Sequence, residues 1–87
     1  MWQIDKRPTF LKQYRRLGVV RQQRVDLGLR ELIGAENPAE LGEYKSSMKV
    51  FAYPLSKGDR IIFDIDYPNG TIILLRVCDH KSVYGKD

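Results

Sequence analysis

The stretch Asp59-Arg60-Ile61-Ile62-Phe63-Asp64-Ile65-Asp66-Tyr67-Pro68-Asn69-Gly70-Thr71-Ile72-Ile73-Leu74-Leu75-Arg76-Val77-Cys78 decides the fold. Arg60 to Tyr67 alternates with a period of two and reads as a strand. Ile61, Phe63, Ile65 and Tyr67 share one face, and Arg60, Ile62, Asp64 and Asp66 share the other. Pro68-Asn69-Gly70 is a hairpin turn of the favoured Asn-Gly type. Thr71 to Cys78 is the returning strand. Its apolar run Ile72-Ile73-Leu74-Leu75 predicts burial on both faces at the sheet centre. Strict alternation puts Ile72, Leu74, Arg76 and Cys78 on one face, with Ile73, Leu75 and Val77 on the other.

Working outward, Lys49 to Leu55 reads as a preceding strand. Ser56-Lys57-Gly58-Asp59 is the turn that links it to the hairpin. Pro54 suits a strand end or an edge, since it has no N–H to give a ladder. Asn37-Pro38 opens a polar connector running to about Ser47. Further back lie two helical segments. In the first, Pro8 fits the opening turn, and Phe10, Leu11, Tyr14 and Leu17 recur at helical spacing before Gly18. The second, from about Val20 to Ile33, carries Val25, Leu29, Leu32 and Ile33 on one stripe. Arg21, Arg24 and Arg30 lie off that stripe and read as its solvated side. Gly28 costs this helix about 1 kcal/mol relative to alanine. Trp2 to Asp5 alternates as a short first strand. The expected fold is therefore α+β, with a short N-terminal strand, a two-helix hairpin and a three-stranded antiparallel sheet.

The 87 residues, with no repeat or internal linker, make one domain. Lysine and arginine total 15 against 11 acidic residues, a formal charge of +4. That excess favours a polyanionic partner, either nucleic acid or an acidic protein, and is also compatible with a merely cationic surface. A single cysteine, Cys78, excludes an internal disulfide and fits a reducing cytoplasm. No apolar stretch is long enough to span a bilayer or to serve as a leader. There is no P-loop, no dinucleotide glycine fingerprint and no Cys/His cluster of zinc type, so neither a cofactor nor a metal is expected.

The chemical interest lies at the end of the last strand. A charge there, on Arg76, must be paired or exposed, because burying it alone is costly. Asp64, Asp66 or Asp79 could pair with it. Were the sheet curved, Arg60 and Arg76 could converge on one cleft, with His80, Lys81 and Tyr84 following. Such a group suits RNA cleavage. The 2′-hydroxyl must lose a proton, the 5′-oxygen must gain one, and the charge on the phosphorane must be stabilised. Histidine titrates near neutrality, arginine grips phosphate with two donors, and tyrosine stacks on a splayed base. The plainer alternatives are a surface histidine, a solvated Arg60 beside the turn, a Tyr84 that anchors the tail, and a Cys78 that is a small buried hydrophobe.

In this order the motifs resemble the RelE/ParE superfamily of bacterial and archaeal toxins, over nearly the whole chain. Gly58-Asp59-Arg60-Ile61-Ile62-Phe63 resembles that family's G-x-R-hydrophobic-hydrophobic-aromatic strand. Asp79-His80-Lys81-Ser82-Val83-Tyr84-Gly85 is similar to the H-x-x-x-Y/F ending of the RelE, YoeB and YafQ branches. Arg76, four residues before His80, matches the YafQ-like branch. Leu41-Gly42, with Lys45 soon after, resembles the connector before the family's second strand.

The resemblance implies a RelE-like toxin of a type II toxin-antitoxin system. Such toxins enter the ribosomal A site and cleave mRNA without a metal, by attack of a 2′-hydroxyl on the adjacent phosphate. It implies phosphate binding by Arg60 and Arg76, general acid or base action by His80, and stacking or orientation of substrate by Tyr84. Lys45, Lys49, Lys57 and Lys81 would contact RNA. Where RelE has two basic residues in its second strand, this chain has Ala52 and Pro54. Glu43 is the candidate counterpart of the YoeB glutamate base. The implied partners are the ribosome, mRNA and a cognate acidic antitoxin, with no membrane. Two alternatives share the fold. One is a ParE-like gyrase poison acting by binding, whose relatives generally lack the histidine-tyrosine pair. The other is an inactive binding module.

Overall fold

The computed structural model describes residues Met1–Asp79, and the assignments to His80, Lys81 and Tyr84 lie outside them. The elements follow the chain as β1 (Gln3–Lys6), α1 (Pro8–Arg16), α2 (Val19–Gly34), β2 (Glu43–Lys45), β3 (Val50–Pro54), β4 (Asp59–Asp66) and β5 (Thr71–Asp79). Short 3-10 turns at Pro38–Leu41 and Ser56–Gly58 precede β2 and β4. The helical hairpin and the three long strands lie where periodicity places them.

The sheet corrects the expectation of three antiparallel strands. Among the described residues it has five, in the order β1-β5-β4-β3-β2, and it is mixed. β1 pairs in parallel with β5, Ile4 opposite Ile72 and Lys6 opposite Leu74. The helical hairpin carries the chain from β1 at one edge of the sheet to β2 at the other, and β3 and β4 bring it back to β5, which supplies the long connection that a parallel pair requires. β2 is the second addition, pairing antiparallel with β3 through Glu43–Ala52, Tyr44–Phe51 and Lys45–Val50. Three polar-flanked residues carry too little alternation to announce a strand, so β2 is hidden in what reads as a polar connector. These additions make β4 the central strand, with β5 between β4 and β1. Pro54 lies one pair beyond Tyr53 in the β3–β4 ladder and past the last β2 partner, Ala52. Its missing N–H therefore leaves no gap on the β2 side.

Both helices cover one face of the sheet. Phe10 from α1 and Val25, Leu29 and Leu32 from α2 pack with Ile61, Phe63, Ile72, Leu74 and Val77. Phe51 stacks on Phe63 with ring centroids 5.4 Å apart and extends this core toward β2. A smaller cluster lies on the other face, where Ala52, Ile62 and Cys78 are buried with Val50 and Leu75 against them. No described helix contributes to that second cluster.

Strict alternation fails in β5. Ile62 pairs with Arg76, yet the next residue, Phe63, pairs with Leu74, which leaves Leu75 as an extra residue in a β-bulge. Leu74 and Val77 thus both face the helices, whereas Leu75 and Cys78 belong to the second face. The expectation that Leu74, Arg76 and Cys78 share a face is corrected accordingly. The bulge lets two consecutive residues oppose one, and every residue after it changes sides.

Candidate functional site

The second face of the sheet carries the candidate site. Arg60 lies opposite Cys78 and Arg76 opposite Ile62, so the two arginines are diagonal neighbours on adjacent strands. Such neighbours have backbones roughly 7–8 Å apart, within reach of a shared phosphate for two long side chains. Arg76 is exposed and Arg60 half-buried. Arg60 has no ion pair among the described residues. The floor beneath them is apolar, formed by Ala52, Ile62 and Cys78. Their convergence comes from the bulge, without which Arg76 would point toward the helices.

Two of the aspartates considered as partners for Arg76 are engaged locally. Asp64 Oδ1 accepts the Ile65 N–H at 2.8 Å. Asp66 takes the Asn69 side-chain amide at 2.7 Å and its backbone N–H at 3.4 Å, and so shapes the Asn69-Gly70 turn. The loop corrects the expected Asn-Gly turn: that type needs a positive φ at both residues, whereas only Gly70 has one, at +60, and the Gly70 N–H donates to the Tyr67 carbonyl at 3.1 Å in a four-residue loop between the paired Asp66 and Thr71.

The lysines are more scattered. Lys45 stands on the second face but on edge strand β2, ion-paired to Glu43 on the same strand. Strand spacing and rise put it roughly 16 Å from either arginine. Lys49 is exposed in the β2–β3 turn, at φ 56, and its N–H donates to the Lys45 carbonyl at 2.7 Å. Lys57 lies in the Ser56–Gly58 turn that leads into β4. Glu43 lies in the row of Ala52, Ile62 and Arg76, three strands from Arg76. Its carboxylate is held by Lys45. Among the described residues no group of three His, Cys, Asp or Glu side chains could hold a metal. No described helix is long and apolar enough to cross a membrane.

Two polar contacts that the sequence does not signal hold this region. Asp59, which reads as a turn residue, is 3% exposed and opens β4. Its carboxylate accepts both Arg21 Nε at 2.9 Å and Arg21 Nη2 at 2.7 Å, from the first turn of α2. On β5, the Val77 N–H donates to Gln13 Oε1 of α1 at 2.9 Å. Neither Arg21 nor Gln13 stands out in the sequence, because each is an ordinary polar residue on a helix.

The fold is that of the RelE toxins. A chain of the intact E. coli RelBE toxin-antitoxin complex superposes with a TM-score of 0.78 at 18% identity, covering 91% of this chain and 96% of that one. The isolated E. coli RelE toxin gives 0.78 at 18% identity, over 91% of this chain and 84% of its own. The Mycobacterium tuberculosis RelBE2 complex gives 0.74 at 17% identity, with 91% of each chain covered. No protein-family model and no curated protein matches the sequence.

Proposed function

We propose that this chain is the toxin of a type II toxin-antitoxin system and a ribosome-dependent, metal-independent mRNA endoribonuclease. The observation that carries the proposal is the pair Arg60 and Arg76, presented together on the sheet face that the described helices leave free. In the reaction, the 2′-hydroxyl of one nucleotide attacks the adjacent phosphate and loses its proton. The bond to the 5′-oxygen breaks, and that oxygen takes up a proton. Two guanidinium groups supply fixed donors to the phosphoryl oxygens, where negative charge builds in the transition state. His80, just past the end of β5, is assigned the proton transfer, and Tyr84 the stacking or orientation of the substrate. Lys45, Lys49, Lys57 and Lys81 are assigned backbone contacts to RNA farther from the reacting phosphate.

The partner follows from charge and from the similar structures, which include toxin-antitoxin complexes of E. coli and M. tuberculosis. A chain of net charge +4 favours an acidic, partly disordered antitoxin segment. Toeprinting or primer extension on translated mRNA, with wild type and His80→Ala, tests the activity. Cleavage inside the reading frame by wild type, lost in the variant, is expected. No cleavage by wild type at any salt concentration, or equal cleavage by His80→Ala, would overturn the assignment.

A further inference from the structure

We infer that Gln13 and Arg21, one from each helix, are positioning residues that fix the backbone beside the two phosphate-binding arginines. The inference rests on the proposed endoribonuclease reading of Arg60 and Arg76. Each of these arginines lies one residue from a polar bond between helix and sheet. Arg76 is followed by Val77, whose N–H is held by Gln13 at 2.9 Å. Arg60 is preceded by Asp59, whose carboxylate is held by both Arg21 donors at 2.9 and 2.7 Å.

The sheet explains why both points need a brace. β1 pairs with β5 only as far as Lys6 opposite Leu74, and the Arg7 N–H closes that ladder on the Leu74 carbonyl at 3.1 Å. Beyond Leu74, no strand among the described residues lies on the side of β5 away from β4, and the bulge falls at the same place. Bulged strands bend and twist more strongly, so the direction of Arg76 is set by whatever pins the chain next to it. The Gln13 amide oxygen stands in for a missing strand carbonyl and satisfies an N–H that would otherwise lie open. At the other arginine, β4 begins immediately after the Ser56–Gly58 turn, and Asp59 is its first residue. Strand ends fray unless held. The Asp59 side chain is 5% exposed, so its charge has to be met, and the Arg21 fork meets it with two directed donors. Lysine at position 21 would supply charge without that fork.

The test uses the full chain as Gln13→Met, Gln13→Glu and Arg21→Lys. Gln13→Met keeps the length and loses the acceptor, whereas Gln13→Glu keeps an acceptor. Single-turnover cleavage of mRNA on programmed ribosomes gives the rate constant and the half-saturating toxin concentration. Amide hydrogen exchange at Val77, Arg76 and Arg60 reports the brace without reference to activity. The expected result for Gln13→Met and Arg21→Lys is a cleavage rate at least tenfold lower at saturation, with half-saturation changed less than twofold. Exchange protection should fall at least tenfold at Val77 in the first and at Arg60 in the second, and the Tm should stay within a few degrees. Gln13→Glu should restore rate and protection together. Unchanged protection at Val77 and Arg60 overturns the inference. So does a rate loss in Gln13→Met that Gln13→Glu shares, or one that only follows the Tm. A wild-type protein that cleaves nothing overturns the functional reading instead, and the exchange data still decide whether the braces exist.

Discussion

Ile62 of β4 stands opposite Arg76 of β5, while its neighbour Phe63 stands opposite Leu74, so Leu75 is one residue more than the ladder can pair. This mismatch puts Leu74 and Val77 among the helix-facing core and Leu75 and Cys78 on the other face. A deletion inside an interior strand ordinarily reverses every following side chain. Here, deleting Leu75 should do the opposite and restore strict alternation, with Val77 still inward and Arg76 still outward. The variant is expected to fold cooperatively. Its cost should be limited to the lost contacts of a half-buried leucine, about 1–3 kcal/mol by urea denaturation. A chain that no longer unfolds cooperatively would contradict the bulge.

Gly28 reads from sequence as a weak point in α2, and the structure gives it a purpose. A Cβ there would lie 2.9 Å from Tyr53 Cε2, 3.0 Å from Leu55 Cδ2 and 3.3 Å from Ile61 Cδ1. The Tyr53 ring has little room to yield, because its hydroxyl is hydrogen-bonded to Glu31 of the same helix. Gly28→Ala would gain about 1 kcal/mol of helix propensity and lose more to overpacking. A net destabilisation of about 1–2 kcal/mol is expected from thermal and urea unfolding. Stabilisation by the alanine would show that α2 does not sit this close to β3.

The same tyrosine gives a pH signature. Burial, together with its hydrogen bond to Glu31 and that carboxylate's charge, pushes the Tyr53 phenol from 10.0 up to about 12. The folded state therefore favours the protonated form. The associated stability is fully present below pH 10 and is lost as pH rises through about 12. Ultraviolet titration should find a tyrosine ionising near 12 that is missing in Tyr53→Phe. The slope of stability against pH between 10 and 12 should be shallower in that variant. Identical titrations for the two proteins would count against the contact.

Most of the architecture is legible in the sequence because it rests on long periodic segments. The Val25, Leu29 and Leu32 stripe, the alternation from Arg60 to Tyr67 and the Asn69-Gly70 turn each specify an element by themselves. β2 is not legible, since Glu43–Lys45 becomes a strand only by pairing with β3. The parallel placement of β1 is equally a tertiary outcome. Within the site, Arg60 and Arg76 are legible as candidates, but their shared face is not. It depends on a bulge, and the run Ile72-Ile73-Leu74-Leu75 looks equally apolar on both faces. The Arg21–Asp59 and Gln13–Val77 contacts are invisible for a related reason. Each joins residues more than 35 positions apart that have no pattern of their own.

If Arg60 and Arg76 act together on one phosphate, cleavage of a defined mRNA on programmed ribosomes by Arg60→Ala, Arg76→Ala and the double variant will show it. Each single variant is expected to lose about 10²–10³ in rate, the size of effect seen when one transition-state donor is removed. The double variant should lose much less than the product of the two, since the residues would serve one group. For exposed Arg76, stability should change by no more than about 0.5 kcal/mol. Wild-type rates in both single variants would mean that neither arginine takes part in the reaction.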